Sequence, residues 1–193
     1  RVLAGRLEGA GFAPAVTADV TKAGRLATDL FALTESGELE LCYFASSYLA
    51  ERVPALGLLD LPFRSPSRAA LDGGLGERLK AEVARRTGFA VAGFWNNGAR
   101  HLTNRHRPIR APADCAGLTI RTMQSDLHRR SFAAMGFVPR YIDVKDYPAA
   151  VRSGAVDAQE NPLTNTVNFG VHETHPHLTL TGHFQGVTLV LAN

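Results

Sequence analysis

Several things are scarce in this chain of 193 residues, and each scarcity excludes something. It has two cysteines, Cys42 and Cys115, too few for a disulfide scaffold or a cysteine-built zinc site. No apolar run reaches the ~18 residues that a membrane span needs. Charge of one sign is not in excess: 21 Lys+Arg stand against 18 Asp+Glu, a net of +3. The basic residues are scattered apart from the stretch from Arg100 to Arg110, so no nucleic-acid partner is expected. Catalytic signatures are missing too. There is no G-x-S-x-G elbow, no phosphate loop and no H-E-x-x-H. Gly73-Gly74-Leu75-Gly76 lacks the Lys-Ser/Thr of a phosphate loop and reads as a helix-boundary turn.

What is present is ordinary globular material, with 45% hydrophobic and 20% charged residues. A chain this long forms one to two domains and buries roughly 70% of its unfolded surface. Strand-like and helix-like segments alternate. Phe12 to Val20 reads as a strand, and Leu26, Leu30 and Leu33 share a helical face that ends near Gly37. Leu39 to Phe44 reads as a buried strand, with Ser46-Ser47-Tyr48 just beyond it. Ser65-Pro66 suits a helix start, and Leu75, Leu79 and Val83 mark a helix closed by Gly88. A strand from Phe89 to Trp95 meets an Asn96-Asn97-Gly98 turn. A short strand, Leu118 to Arg121, precedes a helix from Ser125 to Met135. Val138 to Val144 is extended, Asp146 to Ser153 is a helix capped by Gly154, and Val156-Asp157 opens a strand. Pro162 to Gly170 is helical, and Leu178–Leu180 and Val187–Leu191 read as separate strands. Glu35-Ser-Gly-Glu-Leu-Glu40 and Arg152-Ser-Gly-Ala-Val-Asp157 echo each other as helix, Ser-Gly, strand.

Such alternation implies an α/β fold with mostly parallel strands, which bind ligands beyond the strands' carboxyl ends. That rule points to Ser46 and Ser47, to Trp95 and Asn97, to Arg121 and to the Gln159-Glu160-Asn161 turn. A guanidinium at a strand end, as at Arg121, offers a bidentate fork to a carboxylate, or else an interlobe salt bridge. Arg100, after the Asn-Gly turn, reads as a surface turn residue or as a side chain held over a cleft. Asn161 reads as a helix N-cap before Pro162, as a ligand contact, or as both. Asp143 and Asp146 read as solvated acids at a helix start. His172, His175, His177 and His183 cluster in sequence beside Glu173. Pro176 breaks any regular face, and ordinary loop contacts are the expected role, with no metal site.

Three motifs stand in order: Asn97-Gly-Ala-Arg-His-Leu-Thr-Asn104, Arg107-Pro-Ile-Arg-Ala-Pro-Ala-Asp-Cys-Ala-Gly-Leu-Thr-Ile-Arg121 and Ser153-Gly-Ala-Val-Asp-Ala-Gln-Glu-Asn-Pro162. Leu58-Leu-Asp-Leu-Pro-Phe63 precedes them and Leu178-Thr-Leu-Thr-Gly-His183 follows. Together they resemble the DctP-type solute-binding proteins of tripartite ATP-independent periplasmic (TRAP) transporters, over essentially the whole chain. The resemblance implies a two-lobed periplasmic-binding-protein-like fold, type II-like, with mixed sheets, flanking helices and a central ligand cleft. Lobe I would be residues 1–97 plus 187–193, and lobe II residues 98–186. It implies a periplasmic, monomeric, non-enzymatic protein without cofactor. Such a protein captures a small organic acid and delivers it to TRAP membrane permease subunits, driven by an ion gradient. In the family the Arg of G-L-x-I-R grips the ligand carboxylate, here Arg121. The Arg after Asn-Gly assists, here Arg100, and the Asn of Q-E-N-P contacts the ligand, here Asn161. Val144 stands where sialic-acid binders commonly carry an aromatic, which argues against that substrate. Family members are longer, and both ends of this chain read as cut. A ligand sensor of the same fold and a metal-dependent hydrolase built on the histidines are the rival readings.

Overall fold

The computed structural model describes residues 2–193, and side chains from residue 4 onward. One six-stranded sheet organises the molecule, in the order β1-β6-β2-β5-β3-β4. The strands are β1 (Leu41–Ala45), β2 (Ala90–Asn104), β3 (Thr119–Thr122), β4 (Val138–Tyr141), β5 (Ala158–Pro162) and β6 (His177–Ala192). Among the described residues seven helices accompany them: α1 (Val2–Gly9), α2 (Asp29–Glu35), α3 (Arg68–Asp72), α4 (Gly74–Thr87), α5 (Asp126–Ala134), α6 (Tyr147–Ser153) and α7 (Leu163–Asn168). Short 3₁₀ turns fill several joints.

The sheet is mixed rather than mostly parallel. β3 pairs in parallel with β4 and β5, because α5 and α6 are crossover helices that return the chain in the same direction. β1 with β6, β6 with β2, and β2 with β5 are antiparallel.

Both long strands depart from the sequence reading. Asn96-Asn97-Gly98 does not turn the chain; β2 runs straight through it with register shifts at 91/93, 96/98 and 100/102. The local turn chemistry is real. Asn96 Oδ1 accepts from the Gly98 N–H at 2.8 Å, and Gly98 takes φ +94°. Because the β6 ladder continues on both flanks, Asn96 opposite Val187 and Gly98 opposite Gly186, the same chemistry yields a β-bulge. Likewise Leu178–Leu180 and Val187–Leu191 belong to one strand, β6, because β2 pairs with both ends of it. The segment from Phe12 to Val20 is not a strand. Pro14 withholds a ladder donor, no strand pairs with the segment, and Phe12 and Val16 lie exposed.

Elsewhere the punctuation is as expected. Gly88 and Gly154 close α4 and α6 in the left-handed region. Ser125 caps α5, accepting from the His128 N–H. The cap of α3 is Ser67 rather than Ser65, since its hydroxyl accepts from the Ala70 N–H at 3.1 Å. Gly76, where α3 folds back against α4, has no room for a side chain: a Cβ would lie 1.8 Å from the Leu71 carbonyl oxygen. Gly76→Ala is expected to cost about 1–3 kcal/mol in urea unfolding, through forced backbone shifts. Gly74→Ala, with nothing within 4 Å, serves as the near-neutral control.

Three apolar clusters form. The first joins Phe31, Cys42, Phe44, Leu56, Leu59, Val83, Phe94, Leu189 and Leu191, among others. The second holds Leu102, Ile109, Cys115, Leu118, Ile120, Phe132, Phe137, Ala158 and Phe184. A third groups Tyr147, Val151, Val156 and Val171. Cys42 and Cys115 are both buried free thiols, one in each of the first two clusters. β2 and β6 supply residues to the first two clusters, so these strands are the physical link between the halves.

Candidate functional site

The parallel strands β3, β4 and β5 end side by side, and their carboxyl ends carry Arg121, Tyr141 and Asn161. Parallel sheets gather ligand groups at such ends. Arg121 is only 3% exposed, yet no carboxylate of the described residues pairs with it. Its Nε donates to the Ile142 carbonyl at 2.8 Å, and its guanidinium lies 4.7 Å from the centroid of the Tyr147 ring. Its Nη2 is buried without any hydrogen-bond partner. The group is therefore fixed in direction by a carbonyl and an aromatic face, with donor capacity left over.

Tyr147, fully buried at the start of α6, fastens this group to β5. Its hydroxyl donates to Gln159 Oε1 at 2.6 Å, and Asn161 Nδ2 donates to the same oxygen at 2.8 Å. Burial pushes the Tyr147 phenol up, so it stays a neutral donor. Gln159 Nε2 donates to Thr103 Oγ1 at 2.6 Å, and Thr103 lies 3.0 Å from His175 Nδ1. Burial, helped by Arg105, pushes His175 down to about 4, so its ring is neutral and accepts the Thr103 proton.

Arg100 is placed differently from Arg121. It is 2% exposed and lies on β2, with β5 between it and the β3 strand of Arg121, and it spends its fork on Glu160: Nε to Oε2 at 2.5 Å and Nη2 to Oε1 at 2.8 Å. Nη2 also reaches Asn161 Oδ1 at 3.3 Å. Burial opposes the charge on Glu160, but Arg100 outweighs it and holds the carboxyl well below its usual range. Asn161 thus lies inside β5 between two arginine systems, not at a helix cap; Pro162 occupies the cap of α7.

Among the described residues, the other expected residues make no hydrogen bond to this group. Ser46 and Ser47 begin a 3₁₀ turn (Ser46–Leu49) directly after β1; both are buried, and Ser46 Oγ has no partner. Val144 is half-buried between β4 and α6. Asn97 sits half-buried at the bulge, against Gly186. Trp95 is 43% exposed, stacks obliquely on Tyr43 at 5.2 Å, and with Arg68 and Gln185 lines a cavity of about 310 Å³.

Sequence reasoning missed Tyr147, Tyr141 and Tyr48. Tyr141 ends β4 one strand from Arg121, a position hidden because the extended run was read through to Val144. Burial pushes its hydroxyl up to about 12, with Asp143, Tyr48 and Arg121 close enough to act on it. Asp143 is buried rather than solvated, accepting from the Lys145 N–H and the Tyr141 hydroxyl. The histidines do not act as loop contacts alone: His175 and His183 are buried, and His183 joins Thr181 to Glu160. Among the described residues no three His, Cys, Asp or Glu side chains are grouped to hold a metal ion. No described helix is long and apolar enough to cross a membrane.

The sequence model of DctP, the bacterial extracellular solute-binding protein family 7, matches residues 19–193, and the chain belongs to that family. A solute-binding protein of Verminephrobacter eiseniae is 34% identical over 161 residues, 81% of this chain and 48% of the relative. The 2,3-diketo-L-gulonate-binding periplasmic protein of Escherichia coli is 32% identical, covering 81% of this chain and 49% of that one. The chain thus spans about half the length of these curated relatives. Among solved structures, a TRAP periplasmic solute-binding protein of Chromohalobacter salexigens with bound D-glucuronate superposes with a TM-score of 0.88 at 27% identity, over 98% of this chain and 63% of that chain. Another, from Sulfurospirillum deleyianum with bound succinate, gives 0.82 at 30% identity, over 86% and 55%. The two-lobed mixed α/β architecture is therefore that of the TRAP periplasmic binding proteins.

Proposed function

We propose that this chain supplies the ligand grip of a periplasmic TRAP solute-binding protein, which takes up a small organic acid and passes it to membrane permease subunits. The observation that carries this reading is Arg121, a buried guanidinium with no acidic partner and an unused Nη2. An unpaired buried charge costs several kcal/mol. A ligand carboxylate removes that cost, because its two oxygens match the guanidinium fork. Arg100 acts more indirectly than Arg121: its fork is taken by Glu160, so it orients Asn161 and adds positive potential.

The separate clusters around Phe94 and Phe132 support lobes at residues 1–97 plus 187–193 and 98–186, with β2 and β6 as the hinge strands. Ser46 and Ser47 then face the ligand from the first lobe. Relatives named or solved with diketogulonate, D-glucuronate and succinate support a carboxylate ligand.

A thermal-shift screen of small organic acids, each beside its amide, tests the proposal. Ligand at ~100 times its Kd stabilises by about 2.7 kcal/mol, a visible rise in midpoint. An acid that raises the midpoint while its amide does not supports the clamp. An amide that works equally well overturns it.

A further inference from the structure

His128 stands on α5 against the second apolar cluster, facing the 3₁₀ turn that ends at Asp60. Its ring is fully buried, stacked on Phe184 with centroids 4.4 Å apart and edge-on to Phe132. Each ring nitrogen faces a carboxylate. Nε2 lies 3.6 Å from Asp60 Oδ2 and Nδ1 lies 3.7 Å from Glu160 Oε1. These separations are longer than a hydrogen bond and within ion-pair range. Neither nitrogen, nor Asp60 Oδ2, has a hydrogen-bond partner among the described residues.

The two carboxylates belong to different halves. Asp60 ends the 3₁₀ turn Pro54–Asp60, whose Leu56 and Leu59 are core residues of the first cluster. Glu160 lies on β5, two residues from Ala158 of the second.

A neutral imidazole has one N–H and one lone pair, so one of the two carboxylates would face a lone pair. Only the imidazolium satisfies both. Charge balance agrees: two buried carboxylates, Asp60 and Glu160, share one guanidinium, Arg100, which acts on both, so a protonated His128 supplies the second positive charge. Burial works against the charged ring, but Asp60 and Glu160 outweigh it and hold the ring's pKa above its usual value. Arg100 faces both carboxylates, Glu160 through its fork and Asp60 at longer range, His183 reaches the ring through Glu160, and the ring's remaining neighbours Phe132 and Phe184 carry no charge.

We propose that His128 works as an imidazolium tie between the two halves of the molecule, holding Asp60 of the first against Glu160 of the second, and that loss of its proton releases the tie. The tie requires no ligand, so it stands or falls independently of the carboxylate clamp. Its sign follows from a folded-state pKa above the unfolded one. The stabilisation is complete below about pH 6.5 and disappears as pH rises through the raised value.

Ring nitrogen chemical shifts of His128 in the full chain, assigned through contacts with the Phe184 and Phe132 rings, test this directly. At about pH 7.5 an unperturbed histidine is neutral by roughly tenfold. His128 is expected to show two protonated nitrogens there. A single-tautomer neutral pattern would overturn the proposal. In Asp60→Asn the ring should titrate at lower pH. Its thermal midpoint should fall below wild type at pH 6 and converge with it in alkaline solution. An unchanged titration, or a midpoint gap constant with pH, would equally refute the tie. Should Asp60→Asn not fold, the wild-type shifts alone decide.

Discussion

Arg121→Lys is expected to abolish the midpoint rise that the best organic acid gives to the wild-type protein. The native guanidinium sits in a fixed plane, with Nε on the Ile142 carbonyl and its face on the Tyr147 ring. A carboxylate approaching that plane meets two parallel donors. An ammonium keeps the charge but offers no fork, and its strong hydration resists this 3%-exposed position. Hydrogen bonds to charged groups contribute about 1.5–3 kcal/mol each, and the ligand oxygen left desolvated adds to the loss. The expected weakening is at least ~2 kcal/mol, about 30-fold in Kd. Titration calorimetry measures it, with circular dichroism to establish that the variant is folded. An affinity within threefold of wild type would remove Arg121 from the site. Arg121→Ala loses both charge and fork and should bind no better than the lysine variant.

Much of this arrangement was legible in the sequence, for reasons that differ between elements. α4, α5 and α6 were legible through the glycines that follow them, Gly88, Gly136 and Gly154, to which α4 adds the Leu75, Leu79, Val83 period and α5 the Ser125 cap. The strand-end position of Arg121 was legible from the apolar run before it, whereas its lack of an acidic partner among the described residues was not. The two long strands were not. Local chemistry at Asn96-Asn97-Gly98 favours a turn, and only the ladder from β6, supplied by residues far along the chain, converts it to a bulge. Phe12 to Val20 failed for the converse reason: an apolar pattern without a partner strand is not a strand. The commitment of Arg100 to Glu160 was illegible because the two residues lie sixty positions apart and meet only through the β2–β5 register. Tyr147 gave no signal, since a tyrosine at the start of a short helix ordinarily faces solvent. Its inward position follows from Arg121, Gln159 and Asn161 converging on it.

Glu160→Ala is expected to be the most damaging single truncation for stability. Glu160 is wholly buried and answers Arg100 through both oxygens, with His183 3.3 Å from Oε2. Deleting it leaves the Arg100 guanidinium with only the longer-range charge of Asp60 to answer it, in a place water does not reach. Breaking one side of a buried pair costs about 3–5 kcal/mol, mostly the penalty of the charge left behind. That is a large fraction of the 5–15 kcal/mol that holds a typical domain folded. Glu160→Gln separates charge from shape: it keeps an acceptor for Arg100 but no negative charge, and should fall between wild type and alanine. Urea unfolding at neutral pH checks the order. The same pair gives wild-type stability an acid limb. Because Glu160's folded-state pKa is depressed, its stabilisation is complete above the usual carboxylate range and declines as pH falls towards the depressed value. Glu160→Gln removes that limb, so the gap between it and wild type should narrow in acid. A gap that stays constant from neutral pH to pH ~3 would mean that the pair is held by shape and hydrogen bonding rather than by charge.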